Sequence, residues 1–434
     1  MICVFFILFY AFAVFAFGRI SFWFRFFPCK AGLFGKNPMP KMISENYKKW
    51  PHFDDADIAA VSEVLASGKI NRWTGDKNLA FEKALCDYTG AKFAIAVSNG
   101  TAALELALEG LGVGAGDEVI VPCRTFMASA SSIVMRGATP VVADVDLNSQ
   151  DIMPSEIEKL ITPKTKAVIA VHLMGFPCDM DAIMDVARRH NLFVIEDCAQ
   201  AHGAKYKGRS VGTIGDVGAW SFCQDKIITT GGEGGAVTTN NEAVWRKMWS
   251  FKDHGRDYDL VFHAQHPAGF RWYLETFGTN MRMTEMQAVL GIRGLANLPE
   301  WSAKRARNAK ILADALAPLD TVRLQKVPAD CVHANYKFYF FLDFSKLKEG
   351  TTVLDVIDAI NAEGVPAMSG TCWNVSNENC FKKAGLSKDE RQLPNAAVLR
   401  DTGVMTLIHP TLSEDDIAKA AGIIRSVVLR YTRA

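Results

Sequence analysis

Residues 168–197 read VIAVHLMGFPCDMDAIMDVARRHNLFVIED, and this stretch decides the fold. Its two ends, VIAVHL and FVIED, are short and apolar almost throughout, as strands buried on both faces must be. Between them, residues 180–190 have the spacing of a helix. Strand, helix and strand in one run form a crossover unit with parallel strands.

The same alternation extends in both directions. Short β-branched runs lie at 94–97, 118–122, 140–145, 167–173, 193–198, 218–222 and 235–239, with helical stretches at 102–111, 155–160 and 180–190 among them. Strands alternating with helices predict an α/β domain with a mostly parallel seven-stranded sheet. Upstream, DDADIAAVSEVLAS (54–67) is a helix opened by Asp54 and Asp55, and 78–89 is a second one. Downstream come a helix-rich stretch at 281–318, a strand at 337–344 and a helix at 352–362, which predict a smaller C-terminal α+β domain. The helical run should break near Pro299–Trp301, dividing the chain into 42–298 and 299–434 after an apolar extension at 1–41. The lead helices at 54–89 are expected to pack on the second domain.

Composition narrows the function. In 434 residues, Lys plus Arg is 48 and Asp plus Glu is 47, a net charge of +1. No charge excess steers the chain to nucleic acid, so an anionic ligand needs a local site. Ten cysteines without a C-x-x-C pair read as reduced, buried thiols. Residues 1–17 (MICVFFILFYAFAVFAF) carry no charge and are followed by Arg19, Arg25, Lys30, Lys36 and Lys41. No basic residue precedes them and no A-x-A site follows, against a secretory signal. They read as an over-long start before Met39 or Met42, or as a membrane contact through residues 1–27. In both cases the catalytic part is expected to be cytoplasmic.

Polar groups at strand ends carry the chemistry. Ser98-Asn99-Gly100-Thr101-Ala102 opens a helix, either as an anion cradle or as a simple N-cap. Phe126 follows the next strand; taken alone it reads as core. Asp197 ends an apolar strand, with Gln200 three residues on. A buried carboxylate needs a cationic partner, either a structural Arg or Lys or a protonated ring nitrogen. Ser221 and Lys226 follow another strand, before a glycine-rich turn. Lys226 is flanked by apolar Ile227 and Ile228, and a desolvated lysine can attack a carbonyl. His172 at a strand end reads equally as pocket lining or as core. GLGVGAG (110–116) follows a helix and lacks dinucleotide spacing. His263 and His266, near His254, have no carboxylate or thiol set to complete a metal site, so no metal is expected.

Together the segments SNGTAALELAL, VIEDCAQAHGA, SFCQDKIITTGGEGG, NMRMTEMQAVLG and LPNA resemble the DegT/DnrJ/StrS family of sugar aminotransferases over about residues 46–428. The resemblance implies a pyridoxal-phosphate enzyme of fold type I. It implies Lys226 as the Schiff-base lysine, Asp197 at the pyridine nitrogen and Gln200 by the ring hydroxyl. Thr101, Ala102 and Ser221 would hold the phosphate and Phe126 would stack on the ring. Asn280 would reach the phosphate across a homodimer interface. The implied reaction moves an amino group from glutamate or glutamine to a keto-sugar, expected to be nucleotide-linked. Two alternatives stand beside it. Sugar dehydratases of the same family carry His where this chain has Lys226, and a non-catalytic cofactor-binding regulator would need none of the turnover. The segment LIHP (407–410) departs from the family's Leu-Pro pattern, which bears on substrate and subfamily.

Overall fold

The computed structural model describes residues 49–265 and 274–433. The readings of the N-terminal extension and of His266 lie outside the described residues. The larger sheet region begins with strands β1 (Phe93–Val97), β2 (Glu118–Pro122), β3 (Thr139–Ala143), β4 (Thr165–Val171) and β5 (Phe193–Asp197). After them come the short pair β6 (Lys205–Tyr206) and β7 (Arg209–Ser210), then β8 (Val217–Ser221) and β9 (Gly235–Thr239). Seven of these form one sheet in the order β1-β9-β8-β5-β4-β2-β3. Only β9 runs antiparallel to its neighbours; all the other strands point the same way. The mostly parallel seven-stranded sheet is therefore present, and β8 and β9 are buried along their whole length.

A single helix, Glu285–Leu316, runs through Pro299 without a break, which corrects the expected interruption there. Proline in a helix interior removes one hydrogen bond and clashes with the preceding turn, at a cost of about 3 kcal/mol. Packing on both sides of the proline offsets this. Leu295 and Leu298 belong to the first core and Leu312 and Leu316 to a second. A Thr284 capping box with Gln287 starts the helix.

The second core lies under a small antiparallel sheet of β10 (Val322–Leu324), β12 (Phe338–Leu342), β13 (Ala367–Met368) and β14 (Gly403–Thr406), in the order β10-β12-β14-β13. The remaining strand, β11 (Cys331–Val332), pairs with β6. Strand β12 reads FYFFL because both its faces are covered: Tyr339 and Phe341 join the first core, and Phe338, Phe340 and Leu342 the second. The helices Val353–Ala362 and Glu414–Tyr431 cover the rest.

The lead helices, expected to pack on the C-terminal part, pack instead on the first core and the long helix. Phe81 and Leu85 of helix Lys77–Thr89 are in the first core, and Gly291 of the long helix lies against the Phe81 ring. Asp57 of helix Asp55–Ser67 pairs with Arg293. The apolar faces of these helices match the first half of the long helix, which spacing within them could not reveal. Among the described residues, no helix is long and apolar enough to cross a membrane.

Candidate active site

Strands β1, β8, β5 and β2 point the same way, so their C-terminal ends share one edge of the sheet. Open α/β sheets bind ligands at such an edge. Gly100, which opens helix Gly100–Gly110, is pressed against Ser221: a Cβ at position 100 would lie 2.5 Å from the Ser221 Cβ. Gly235 faces the backbone of Asn99, where a Cβ would come within 2.3 Å of the carbonyl oxygen. These two close approaches bring the first-turn amides of the helix beside the buried Ser221 hydroxyl. Asn99 caps the helix by accepting the Ala102 N–H at 2.9 Å. Gly100 and Thr101 keep first-turn amides without an intrahelical acceptor, at the positive end of the dipole.

Asp197 ends β5 and is 6% exposed. Its Oδ2 accepts the Ser129 hydroxyl at 2.8 Å and its Oδ1 the Ala199 N–H at 3.1 Å. Burial pushes its pKa above the usual carboxylate range, against the pull of those two donors and of Lys226. Gln200 is buried, with Oε1 held by the Met174 N–H at 2.8 Å. Phe126 is 67% exposed, so it lies on the rim and not in the core.

Lys226 sits on the loop after β8, half-buried. Its Nζ is 5.1 Å from the centroid of the Tyr336 ring, and Lys337 Nζ is 4.7 Å from the same ring. The Tyr336 hydroxyl donates to Asp225, and Lys337 Nζ lies 3.6 Å from that carboxylate. Burial would raise the Asp225 pKa, but the Tyr336 hydrogen bond and the two lysines hold it below its ordinary value. The Lys337 ammonium is pushed down to about 8, mainly by burial. Asn280 is exposed, its Oδ1 accepting the Arg282 N–H at 3.2 Å. The next residue, Met281, accepts the Ser98 N–H at 2.8 Å, which ties this segment to the end of β1.

The other histidine reading resolves to core. His172 is fully buried; Cys178 N–H donates to its Nδ1, so its Nε2 carries the proton given to Glu196 at 3.0 Å. Glu196 also accepts the N–H groups of Gly212, Ile214 and Gly215. His172, Glu196 and Cys198 lie close enough to hold a metal ion, yet these hydrogen bonds already engage the imidazole and the carboxylate.

Several residues near the site escaped the sequence reading. Trp50 donates its indole N–H to the Lys226 carbonyl, and Tyr336 and Lys337 lie just before β12. Nothing in their local sequence points to Lys226. Ser129 sits in helix Ala128–Met135, and Thr125 in the turn before it; their hydroxyls meet only because that turn folds back onto the helix start.

The residues fit a pyridine cofactor with a phosphate arm. There is a cradle that a Cβ would fill, with amides and a hydroxyl for an anion. A buried carboxylate can face a protonated ring nitrogen, and an amine stands on the adjacent loop. Fold and site define a pyridoxal-phosphate-dependent aminotransferase of fold type I. The chain belongs to the DegT/DnrJ/EryC1/StrS aminotransferase family, whose sequence model matches residues 51–425. It is 43% identical over 317 residues to the GDP-perosamine synthase of Caulobacter vibrioides, covering 73% of this chain and 81% of that protein. Its structure superposes on an aminotransferase from Psychrobacter cryohalolentis with a TM-score of 0.87 and 49% identity, over 89% of this chain and 99% of that one. Spr1654 of Streptococcus pneumoniae in its PLP form matches at 0.78 with 25% identity, over 88% and 97%.

Proposed function

We propose that this enzyme transfers an amino group from glutamate or glutamine to the carbonyl carbon of a nucleotide-linked keto-sugar. The product would serve a surface polysaccharide or a glycosylated metabolite. The observation that carries this reading is the meeting of Lys226, Asp197, Ser221 and the helix start at Gly100 on one sheet edge. That the Caulobacter relative makes GDP-perosamine supports a nucleotide-linked sugar.

Bound pyridoxal phosphate supplies an electron sink that makes the proton beside the substrate nitrogen removable. The chain's residues do the rest. Ser221 and the amides of Thr101 and Ala102 hold the phosphate, the last by exchanging its Asn99 cap. Phe126 packs on the ring face, and Gln200 gives its NH2 to the ring hydroxyl. Asp197 would face the ring nitrogen and, as the anion, would favour its protonated form. Lys226 Nζ would be placed to take and return the proton at the substrate carbon.

The same reading makes the enzyme a homodimer with shared sites, Asn280 of one protomer completing the site of its partner. Phe277 is fully exposed and Leu274 is 49% exposed in the segment that leads to Asn280. An apolar surface of this kind suits a second copy of the chain. Residues 42–298 would form the cofactor domain and 299–434 the small domain, although the helix Glu285–Leu316 straddles the division. The catalytic part would be cytoplasmic, with membrane contact only through residues 1–27.

The test incubates the purified enzyme with glutamate or glutamine and a panel of nucleotide keto-sugars, with mass spectrometry as the readout. An amino-sugar that forms only with both partners present is expected. Bound cofactor without any aminated product would favour a non-catalytic regulator.

A further inference from the structure

Thr125, Ser129 and Asp197 form a buried hydrogen-bonded chain. Thr125 is 1% exposed and Ser129 0%; their hydroxyl oxygens lie 2.7 Å apart, and Ser129 Oγ is 2.8 Å from Asp197 Oδ2. Counting hydrogens sets the direction. An ionised carboxylate only accepts, and a serine hydroxyl has one hydrogen to give. Ser129 therefore spends its hydrogen on Asp197, and Thr125 must donate to Ser129. The chain has one polarity, ending on Oδ2, while the Ala199 N–H fixes Oδ1 at 3.1 Å.

Resting on the role given above to Asp197, we propose that Ser129, oriented by Thr125, is a positioning residue that fixes the Asp197 carboxylate in its ionised form toward the ring nitrogen of the cofactor. The physical need is plain. A carboxylate taken out of water is driven toward its neutral form, and hydrogen bonds to the charged form oppose this. The titratable groups acting on Asp197 from neighbouring elements are Lys226 on the loop after β8 and His172 after β4, with Cys198 next in the chain. Lys226 cannot serve as a constant partner, because its Nζ is the group that the proposed reaction uses. His172 is engaged with Glu196. That leaves the hydroxyl chain and the Ala199 amide as the constant donors.

The experiment loads wild type, Ser129→Ala, Ser129→Thr and Thr125→Val with pyridoxal phosphate isotope-labelled at its ring nitrogen. The nitrogen chemical shift then reports where the proton resides. Wild type and Ser129→Thr should give the protonated shift. Ser129→Ala should move it toward the unprotonated value, with kcat down about tenfold, the equivalent of one pKa unit. The donor KM should stay within a few-fold. Thr125→Val, which leaves Ser129 able to donate but unoriented, should move the shift less and in the same direction; it carries the test if Ser129→Ala fails to load. A protonated shift and normal kcat in Ser129→Ala, or in Thr125→Val should that variant stand alone, would overturn the proposal. An unprotonated ring nitrogen in wild type would instead overturn the role given to Asp197.

Discussion

The indole N–H of Trp50 donates to the carbonyl oxygen of Lys226 at 2.9 Å, joining residues 176 positions apart. The Trp50 ring also meets Trp301 edge-on at 5.2 Å and carries the Arg305 guanidinium at 5.3 Å. The lysine loop is thus braced from the start of the described chain. Trp50→Phe keeps an aromatic ring, though a smaller one, and removes the hydrogen bond, worth about 1 kcal/mol. We expect weaker cofactor retention with a nearly unchanged melting temperature, whereas Trp50→Ala should lower both. Spectral titration with pyridoxal phosphate and thermal unfolding would check this; wild-type retention in Trp50→Ala would show that the brace is irrelevant.

The cradle between Gly100 and Ser221 has no room for a side chain. Gly100→Val should push the helix start away from the Ser221 hydroxyl and weaken cofactor binding by tenfold or more. Overpacking of this kind costs about 1–3 kcal/mol, so the variant should still fold. The dissociation constant for pyridoxal phosphate is the measurement, and an unchanged value would place the phosphate elsewhere.

Lys226→Ala and Asn280→Ala should each be inactive. If sites are shared across the dimer, mixing the two variants should restore some turnover, because one site of each heterodimer holds neither change. The assay is turnover after subunit exchange confirmed by native mass spectrometry. No recovery, with exchange complete, would count against the shared site.

Lys337 has its pKa pushed down from 10.5 to about 8, mainly by burial, with Asp225 opposing and Arg305 and Lys226 reinforcing the shift. Between those values the unfolded chain binds a proton that the folded chain does not. Stability therefore rises with pH across that window and is lost as pH falls through 8. Lys337→Met removes the charge that must be buried. Its gain should be roughly 2–3 kcal/mol near neutral pH and should fade above the unfolded pKa. Urea unfolding at two pH values measures it; an equal effect at both would tie the change to packing.

What the sequence determined by itself is local and periodic. Three boundaries read from spacing alone, Glu118–Pro122, Met180–His190 and Gly235–Thr239, coincide with the elements formed. Apolar runs and helical spacing need only neighbouring residues, so they survive in one dimension. The same holds for Ser221, Asp197 and Lys226, which stand out as polar groups at or just after the ends of buried strands. Tertiary structure decided the rest. Helix Glu285–Leu316 continues through Pro299 because two cores hold it on either side. Phe126 is exposed and His172 is core because of what surrounds them, not because of their own type. Trp50, Tyr336, Lys337 and the Ser129–Asp197 bond depend on the strand order β1-β9-β8-β5-β4-β2-β3 and on where distant segments pack against the lysine loop. Contacts between residues so far apart in the chain leave no period in the sequence. They are fixed only when the sheet closes its order and buries them.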